Sequence, residues 1–233
     1  MSANPAPIAA PPLHLLALET RALAALPLFA WHTLRLSGLP RNEGRAAMIV
    51  PGFGAGDRET WPLRRALRQL GTNAYGWARG RNLGMRSGMK QQLAQRLQEL
   101  HERHGPVTLI GWSLGGVFAR EMARHTPQWV RRVITLGSPI NGHPSANNID
   151  PLFRLVNRGQ PAKLDLEGFM RRRIAPPVPC TALYSKSDGI VAWPCCLEEP
   201  APNTENIEVG GSHFGLIVNA NVLRVIAERL AGD

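Results

Sequence analysis

The residues best suited to chemistry lie in the segment GWSLGG at positions 111–116. It follows an apolar stretch at 107–110 and precedes a helical pattern, and a G-x-S-x-G sequence between a strand and a helix is typical of a nucleophilic serine. A serine on such a sharp turn has a strained backbone, and side chains beside it would collide, which explains the glycines. The helix that follows favours developing negative charge at its N-terminus. Ser113 is therefore the candidate nucleophile, and the alternative is a tight turn with an incidental serine.

A nucleophilic serine needs a base that is held by a third group. In folds with this turn the acid and the histidine follow the serine in that chain order, each after a later strand. Asp188 directly follows the apolar stretch 181–184, and His213 follows a stretch that ends at 209. We therefore expect Ser113, Asp188 and His213 to form a catalytic triad. Such a triad requires no metal and no organic cofactor.

Other acids and histidines fit these roles less well. The rival acids do not follow a late strand, and one rival histidine precedes Asp188 in the chain. Two further histidines have H-x-x-H spacing on a helical pattern, which is not the spacing of a zinc-protease motif. These rivals are Asp57, Asp150, Asp165, His101, His104 and His143.

Ester cleavage also needs two backbone N–H groups that bind the oxyanion. One should belong to Leu114, the residue after the nucleophile, and the other to the glycine loop at 50–57 after the first core strand. A dinucleotide-binding role for this loop is disfavoured, because its third glycine falls one position early and no acidic residue follows at the required distance. The loop also lacks the Gly-Lys-Ser/Thr ending of a phosphate-binding loop.

Strand and helix patterns alternate from residue 46 onward, which predicts an α/β fold with a mostly parallel sheet and helices on both faces. The predicted strands are 46–50, 73–77, 107–110, 133–136, 181–184 and 206–209, and the predicted helices are 59–70, 89–104, 116–124 and 216–230. Residues 138–179 interrupt the alternation and are predicted to form a small helical cap. The predicted organisation is a disordered tail at 1–12, a helical segment at 13–45 and an α/β domain at 46–233.

Composition fits one globular domain, with 233 residues of which 44% are hydrophobic. The net charge of +10 would suit a polyanion or an anionic surface. Scattered arginines without interleaved aromatic residues argue against a nucleic-acid partner. Three cysteines exclude a disulfide framework. A bridge from Cys180 to Cys195 or Cys196 stays open, although reduced thiols are favoured.

The apolar segment near the start of the chain bears on membrane contact and location. Its uncharged stretch, 22–34, is thirteen residues long, whereas a membrane span needs about twenty. Residues 1–12 carry no charged side chain, and Trp31, His32 and Arg35 lie where a small-residue cleavage site would be needed, so we expect no signal peptide and a cytoplasmic location. Residues 13–36 read as an apolar helix with a break near Pro27. This segment either packs on the core or makes peripheral contact with a membrane surface.

The chain resembles the α/β-hydrolases of the compact bacterial lipase and esterase type over residues 46–231. The segments GWSLGG, YSKSDGIV and GSHFGL match that superfamily's pattern, and PGFG matches its usual His-Gly-x-Gly loop with Pro51 in place of the histidine. The resemblance implies that the N–H groups of Phe53 and Leu114 bind the oxyanion. Because backbone groups carry this role, Pro51 changes the neighbouring loop rather than the donors.

These residues predict a serine hydrolase that cleaves carboxylic esters of apolar acyl groups through an acyl-enzyme intermediate. Its substrate would be a small-molecule ester or a lipid ester. Apolar residues in the predicted cap would suit an acyl chain, although a packed cap also explains them; they are Ile149, Leu152, Phe153, Leu155, Val156, Leu164, Leu166, Phe169 and Met170. An acyltransferase or thioesterase with the same triad is one alternative. A non-enzymatic binding module on a hydrolase fold is the other. The sequence does not determine the oligomeric state.

Overall fold

Six parallel strands form one sheet in the computed structural model, which describes residues 8–34, 36–84, 88–141, 146, 148 and 173–232. The strands are β1 (Ala46–Val50), β2 (Asn73–Gly76), β3 (Val107–Trp112), β4 (Val130–Leu136), β5 (Cys180–Tyr184) and β6 (Thr204–Glu208), in the order β2-β1-β3-β4-β5-β6. β1 and β3 are buried along their whole length, since helices cover a parallel sheet on both faces. The mostly parallel α/β fold predicted from the sequence is confirmed.

Helices pack on both faces of this sheet. They are α1 (Leu13–Ala17), α2 (Ala22–Thr33), α3 (Trp61–Gln69), α4 (Met89–His104), α5 (Leu114–His125) and α6 (Ala220–Ala231). On one face α2, α3 and α6 share a core with Ile49 of β1, and on the other α4 and α5 share a core with Met48. The alternation of Met48 and Ile49 follows from the two-residue period of a strand.

Two helical elements differ from the sequence prediction by more than a shift of about two residues at their ends. The last helix begins at Ala220 rather than at 216, because residues Leu216–Val218 form a 3-10 turn. The Asn219 side chain then accepts hydrogen bonds from the N–H groups of Asn221 and Val222, which caps the helix. Near the N-terminus, α2 continues through Pro27 rather than breaking there. A proline inside a helix removes one backbone hydrogen bond, and α2 tolerates that loss.

The N-terminal helical segment ends at Thr33, three residues before the predicted end at 36. Residues Leu13–Thr33 form a helical run of 21 residues with a mean hydropathy of 1.4, of which 11% is buried. By length and composition it could cross a membrane, a test that signal sequences and core helices also pass. It is the one such helix among the residues that the structure describes. The cytoplasmic location therefore stays a prediction.

Most of the predicted cap lies outside the described residues, which omit 142–145, 147 and 149–172. The C-terminal end of the predicted cap, from residue 173 onward, is anchored to α5. The Arg120 side chain of α5 donates to the carbonyl of Ile174 at 3.0 Å and forms a buried ion pair with Glu198. Burial raises the pKa of the Glu198 carboxyl, and the guanidinium of Arg120 opposes that shift. Arg120 therefore holds to α5 both the chain that enters β5, through Ile174, and the segment between β5 and β6, through Glu198.

All three cysteines are free and buried, so the open question of a bridge is answered in favour of reduced thiols. Burial raises the pKa of Cys180 to about 12 and that of Cys195 to about 11. Burial also raises the pKa of the Cys196 thiol well above its ordinary value, and the charge of Asp188 adds to this shift. Thiols this protonated are poor nucleophiles, which indicates a structural role.

Candidate active site

Ser113 lies at the sharp turn between β3 and α5, where the sequence predicted a nucleophile. Its φ of 54° and ψ of −126° are strained for any residue with a side chain. The turn also brings α5 against the end of β1. A Cβ on Gly115 would lie 2.1 Å from the carbonyl oxygen of Val50, so only glycine fits there. Packing therefore forces the strained conformation that presents Ser113.

Asp188 and His213 form a buried pair in the loops after β5 and β6. The Nδ1 atom of His213 lies 2.7 Å from Oδ2 of Asp188, and the two residues are 1% and 2% exposed. The other carboxylate oxygen, Oδ1, accepts hydrogen bonds from the N–H groups of Ile190 and Val191 at 2.8 Å each. A proton on Nδ1 in this arrangement leaves Nε2 of His213 able to accept one.

Aromatic side chains hold the imidazole of His213 beside the nucleophile turn. Trp112, which precedes Ser113, has its ring centroid 5.9 Å from that of His213 and donates its indole N–H to the His213 carbonyl at 3.1 Å. Phe214 packs edge-on against both rings. Within the part of the chain that the structure describes, the side chains of Ser113 and His213 form no direct hydrogen bond. In hydrolases the bond between nucleophile and base often forms or tightens only when substrate is in place. The sequence did not indicate the packing roles of Trp112 and Phe214.

The predicted oxyanion loop lies against the nucleophile. A Cβ on Gly52 would lie 3.1 Å from Cβ of Ser113, which measures how closely the loop approaches. Leu114 is the first residue of α5, where backbone N–H groups have no acceptor within the helix. Of the two predicted donors, Leu114 directly follows Ser113 in the chain, and Phe53 directly follows Gly52, the loop residue that approaches Ser113.

A buried asparagine fixes the predicted oxyanion loop, and no sequence pattern had indicated it. The side chain of Asn82 donates to the carbonyl of Pro51 at 2.7 Å. Its backbone accepts from the N–H of Gly54 at 2.7 Å and donates to the carbonyl of Ala55 at 2.8 Å. These bonds hold the loop although Pro51 replaces the superfamily's usual histidine.

The rival acids and histidines have other roles where the structure describes them. Asp57 accepts hydrogen bonds from the N–H groups of residues 77 and 78, so its carboxylate holds the end of β2. His101 and His104 both lie on α4 and pack against aromatic rings. The remaining rivals, Asp150, Asp165 and His143, lie outside the described residues. Within those residues no group of three His, Cys, Asp or Glu side chains could hold a metal ion.

The family model for palmitoyl protein thioesterase matches residues 69–176 of this chain. The match contains the nucleophile turn and ends before Asp188 and His213. It covers less than half of the chain. No curated protein matches the sequence of this chain at a significant level.

Solved structures similar to this chain share its fold at low sequence identity. A monoacylglycerol lipase from Paleococcus ferrophilus has a TM-score of 0.59 at 15% identity, covering 83% of this chain and 96% of its own. A thioesterase domain from the curacin biosynthetic pathway has 0.53 at 13%, covering 83% and 93%. Naproxen esterase from Bacillus subtilis has 0.54 at 14%, covering 90% and 96%. The chain is an α/β-hydrolase-fold protein, as its sequence motifs predicted.

Proposed function

We propose that the protein is a serine hydrolase that cleaves carboxylic esters of apolar acyl groups. The observation that carries the proposal is the buried Asp188–His213 pair beside the strained turn of Ser113. Likeness of the fold to a lipase, an esterase and a thioesterase domain supports hydrolysis as the reaction class. The residue assignments rest on the geometry of this chain.

In the proposed mechanism His213 accepts the proton of Ser113 through Nε2 as Oγ attacks the acyl carbon. Asp188 keeps the imidazole oriented and stabilises its charged form. The oxyanion accepts hydrogen bonds from the N–H groups of Phe53 and Leu114. His213 then protonates the leaving alcohol, which departs and leaves the acyl group on Ser113. Water, deprotonated by His213, releases the acid and regenerates the serine.

Thioester cleavage is the second candidate, and the match to the palmitoyl protein thioesterase model favours it. The same triad serves both reactions, because only the leaving group differs. An acyltransferase would differ in the acceptor alone. Each of these reactions uses an acyl-enzyme, so substrate tests rather than site geometry distinguish them.

A panel of p-nitrophenyl esters from two to sixteen carbons, with a palmitoyl thioester beside it, tests the proposal. We expect kcat/KM to rise roughly ten-fold or more from the shortest to the longer chains, because each added methylene contributes apolar contact. Activity on the thioester alone would favour the second candidate. A protein inactive on every ester and thioester would contradict the proposed function.

Peripheral contact with an anionic lipid surface is part of this proposal, since long-chain esters reside in such surfaces. The N-terminal segment exposes a set of large apolar side chains: Leu13, Leu18, Leu23, Leu26, Leu28, Trp31 and Leu34. The exposed Arg65 and Arg68 of α3 lie on the same face of the sheet, and the net charge is +10. Exposed apolar side chains together with basic ones on one face are typical of surfaces that bind a lipid interface.

Co-sedimentation with vesicles tests this contact. We expect binding to vesicles that contain phosphatidylglycerol and weaker binding to neutral vesicles. Replacing Leu23 and Leu34, which are 81% and 76% exposed, by Gln should weaken binding about ten-fold or more, because two apolar side chains are lost from the interface. Ile174→Gln, at a site 66% exposed outside the segment, is the matched control. Equal binding by the double variant and wild type would contradict the proposed contact.

A further inference from the structure

A buried carboxylate from the N-terminal segment contacts the loops that carry the predicted acid and base. Glu19 lies in the 3-10 turn between α1 and α2, and it is only 5% exposed. Its Oε1 accepts hydrogen bonds from the N–H groups of Gly189 and His213 at 2.8 Å each. Its Oε2 accepts from the N–H of Phe214 at 3.0 Å. All three donors are backbone groups.

These donors are adjacent to the proposed proton-transfer pair. Gly189 directly follows Asp188, and His213 is itself the proposed base. Glu19 is 170 residues from the first loop and 194 from the second, so one side chain joins segments that are distant in sequence. Hydrogen bonds to an ionised acceptor are roughly twice as strong as neutral ones. A buried carboxylate persists only with such partners.

Other residues of the N-terminal segment also pack against the loop that carries Asp188. A Cβ on Gly189 would lie 2.4 Å from the carbonyl oxygen of Leu15, so glycine allows α1 to approach the acid loop. The side chain of Asn148 donates to the carbonyls of Pro11 at 3.0 Å and Gly189 at 2.8 Å. The segment before β1 therefore packs directly on the triad loops, with Glu19 at the centre of the contact.

We propose that Glu19 is a positioning residue of the triad, an inference that rests on the proposed function. It fixes the separation of the acid and base loops and so holds the His213 ring where Ser113 can reach it. Small displacements of a catalytic group lower turnover strongly, and about 1 Å can cost roughly 100-fold. Substrate binding depends on other surfaces, so the effect falls on kcat rather than KM.

Three variants test this role: Glu19→Gln, Glu19→Ala and the matched control Glu43→Gln. Gln keeps the size of the side chain but replaces one acceptor oxygen by a donor, whereas Ala removes all three hydrogen bonds. Glu43 is an exposed carboxylate paired with Arg41, so its variant makes the same chemical change away from the triad. Titration with a fluorophosphonate that labels Ser113 counts the competent sites, and kcat is then expressed per titrated site.

We expect kcat per titrated site to fall about ten-fold in Glu19→Gln and about 100-fold in Glu19→Ala, with KM within about three-fold of wild type. Glu43→Gln should match wild type. A purely structural role would lower the melting temperature and the number of titrated sites but leave kcat per site unchanged, and that result in Glu19→Gln would overturn the inference. If the fluorophosphonate fails to label Ser113 in the wild-type protein, the proposed function itself is wrong.

Discussion

Replacing Ser113 by Ala should lower ester turnover by roughly 10⁶-fold, the loss seen when a serine hydrolase loses its nucleophile. No other group of the proposed mechanism can carry the acyl intermediate, because the remaining residues only transfer a proton or donate hydrogen bonds. Stability should hardly change. Ala and Ser are equally strained at a φ of 54°, so the melting temperature should stay within about 2 °C of wild type.

Covalent labelling gives the direct measurement for this prediction. A fluorophosphonate should add one label to the wild-type chain, at Ser113 by peptide mass spectrometry, and none to the Ala variant. Ser37→Ala, at an exposed serine distant in sequence from the triad residues, is the control and should label and turn over as wild type does. A label at a different serine, or full activity in Ser113→Ala, would show that the nucleophile has been assigned wrongly.

Replacing Asp188 by Asn should cost roughly 10⁴-fold in turnover, by analogy with other triads that lose their acid. The structure gives the reason. Oδ1 of Asp188 accepts two backbone N–H groups, from Ile190 and Val191, so the amide oxygen of Asn must take that place. The amide NH₂ then faces Nδ1 of His213, which forces the imidazole proton onto Nε2. In that tautomer His213 cannot accept the proton of Ser113.

Glu208→Gln is the matched control for this variant, because Glu208 is a partly exposed acid near the acid loop whose carboxylate pairs with Lys186 at 2.7 Å. It should keep wild-type turnover. Circular dichroism and the melting temperature of Asp188→Asn separate lost chemistry from lost folding. If Asp188→Asn is mild while Asp150→Asn is as damaging as predicted here, then Asp150 is the acid and the assignment fails.

The sequence alone determined the fold class and the chain order of Ser113, Asp188 and His213. Alternating apolar strands and amphipathic helices favour a parallel sheet, and the carboxyl ends of parallel strands meet at one edge. Three polar residues that each follow a strand therefore converge whatever the details of packing. Local signals also predicted the bounds of β1 and α4. The helical spacing of the leucines in α4, and the Gly-Pro that follows it, marked that helix in the sequence.

Only the tertiary structure revealed Glu19 and Asn82. Glu19 follows a leucine-rich stretch in which a lone acid has no local signature, and Asn82 lies in a glycine-rich loop where asparagine is ordinary. Their roles come from contacts with backbone groups distant in sequence, 31 residues away for Asn82 and more than 160 for Glu19. A backbone N–H or carbonyl is the same at every position, so no residue pattern marks which side chain will bind it. That pairing is decided when the helices pack onto the sheet.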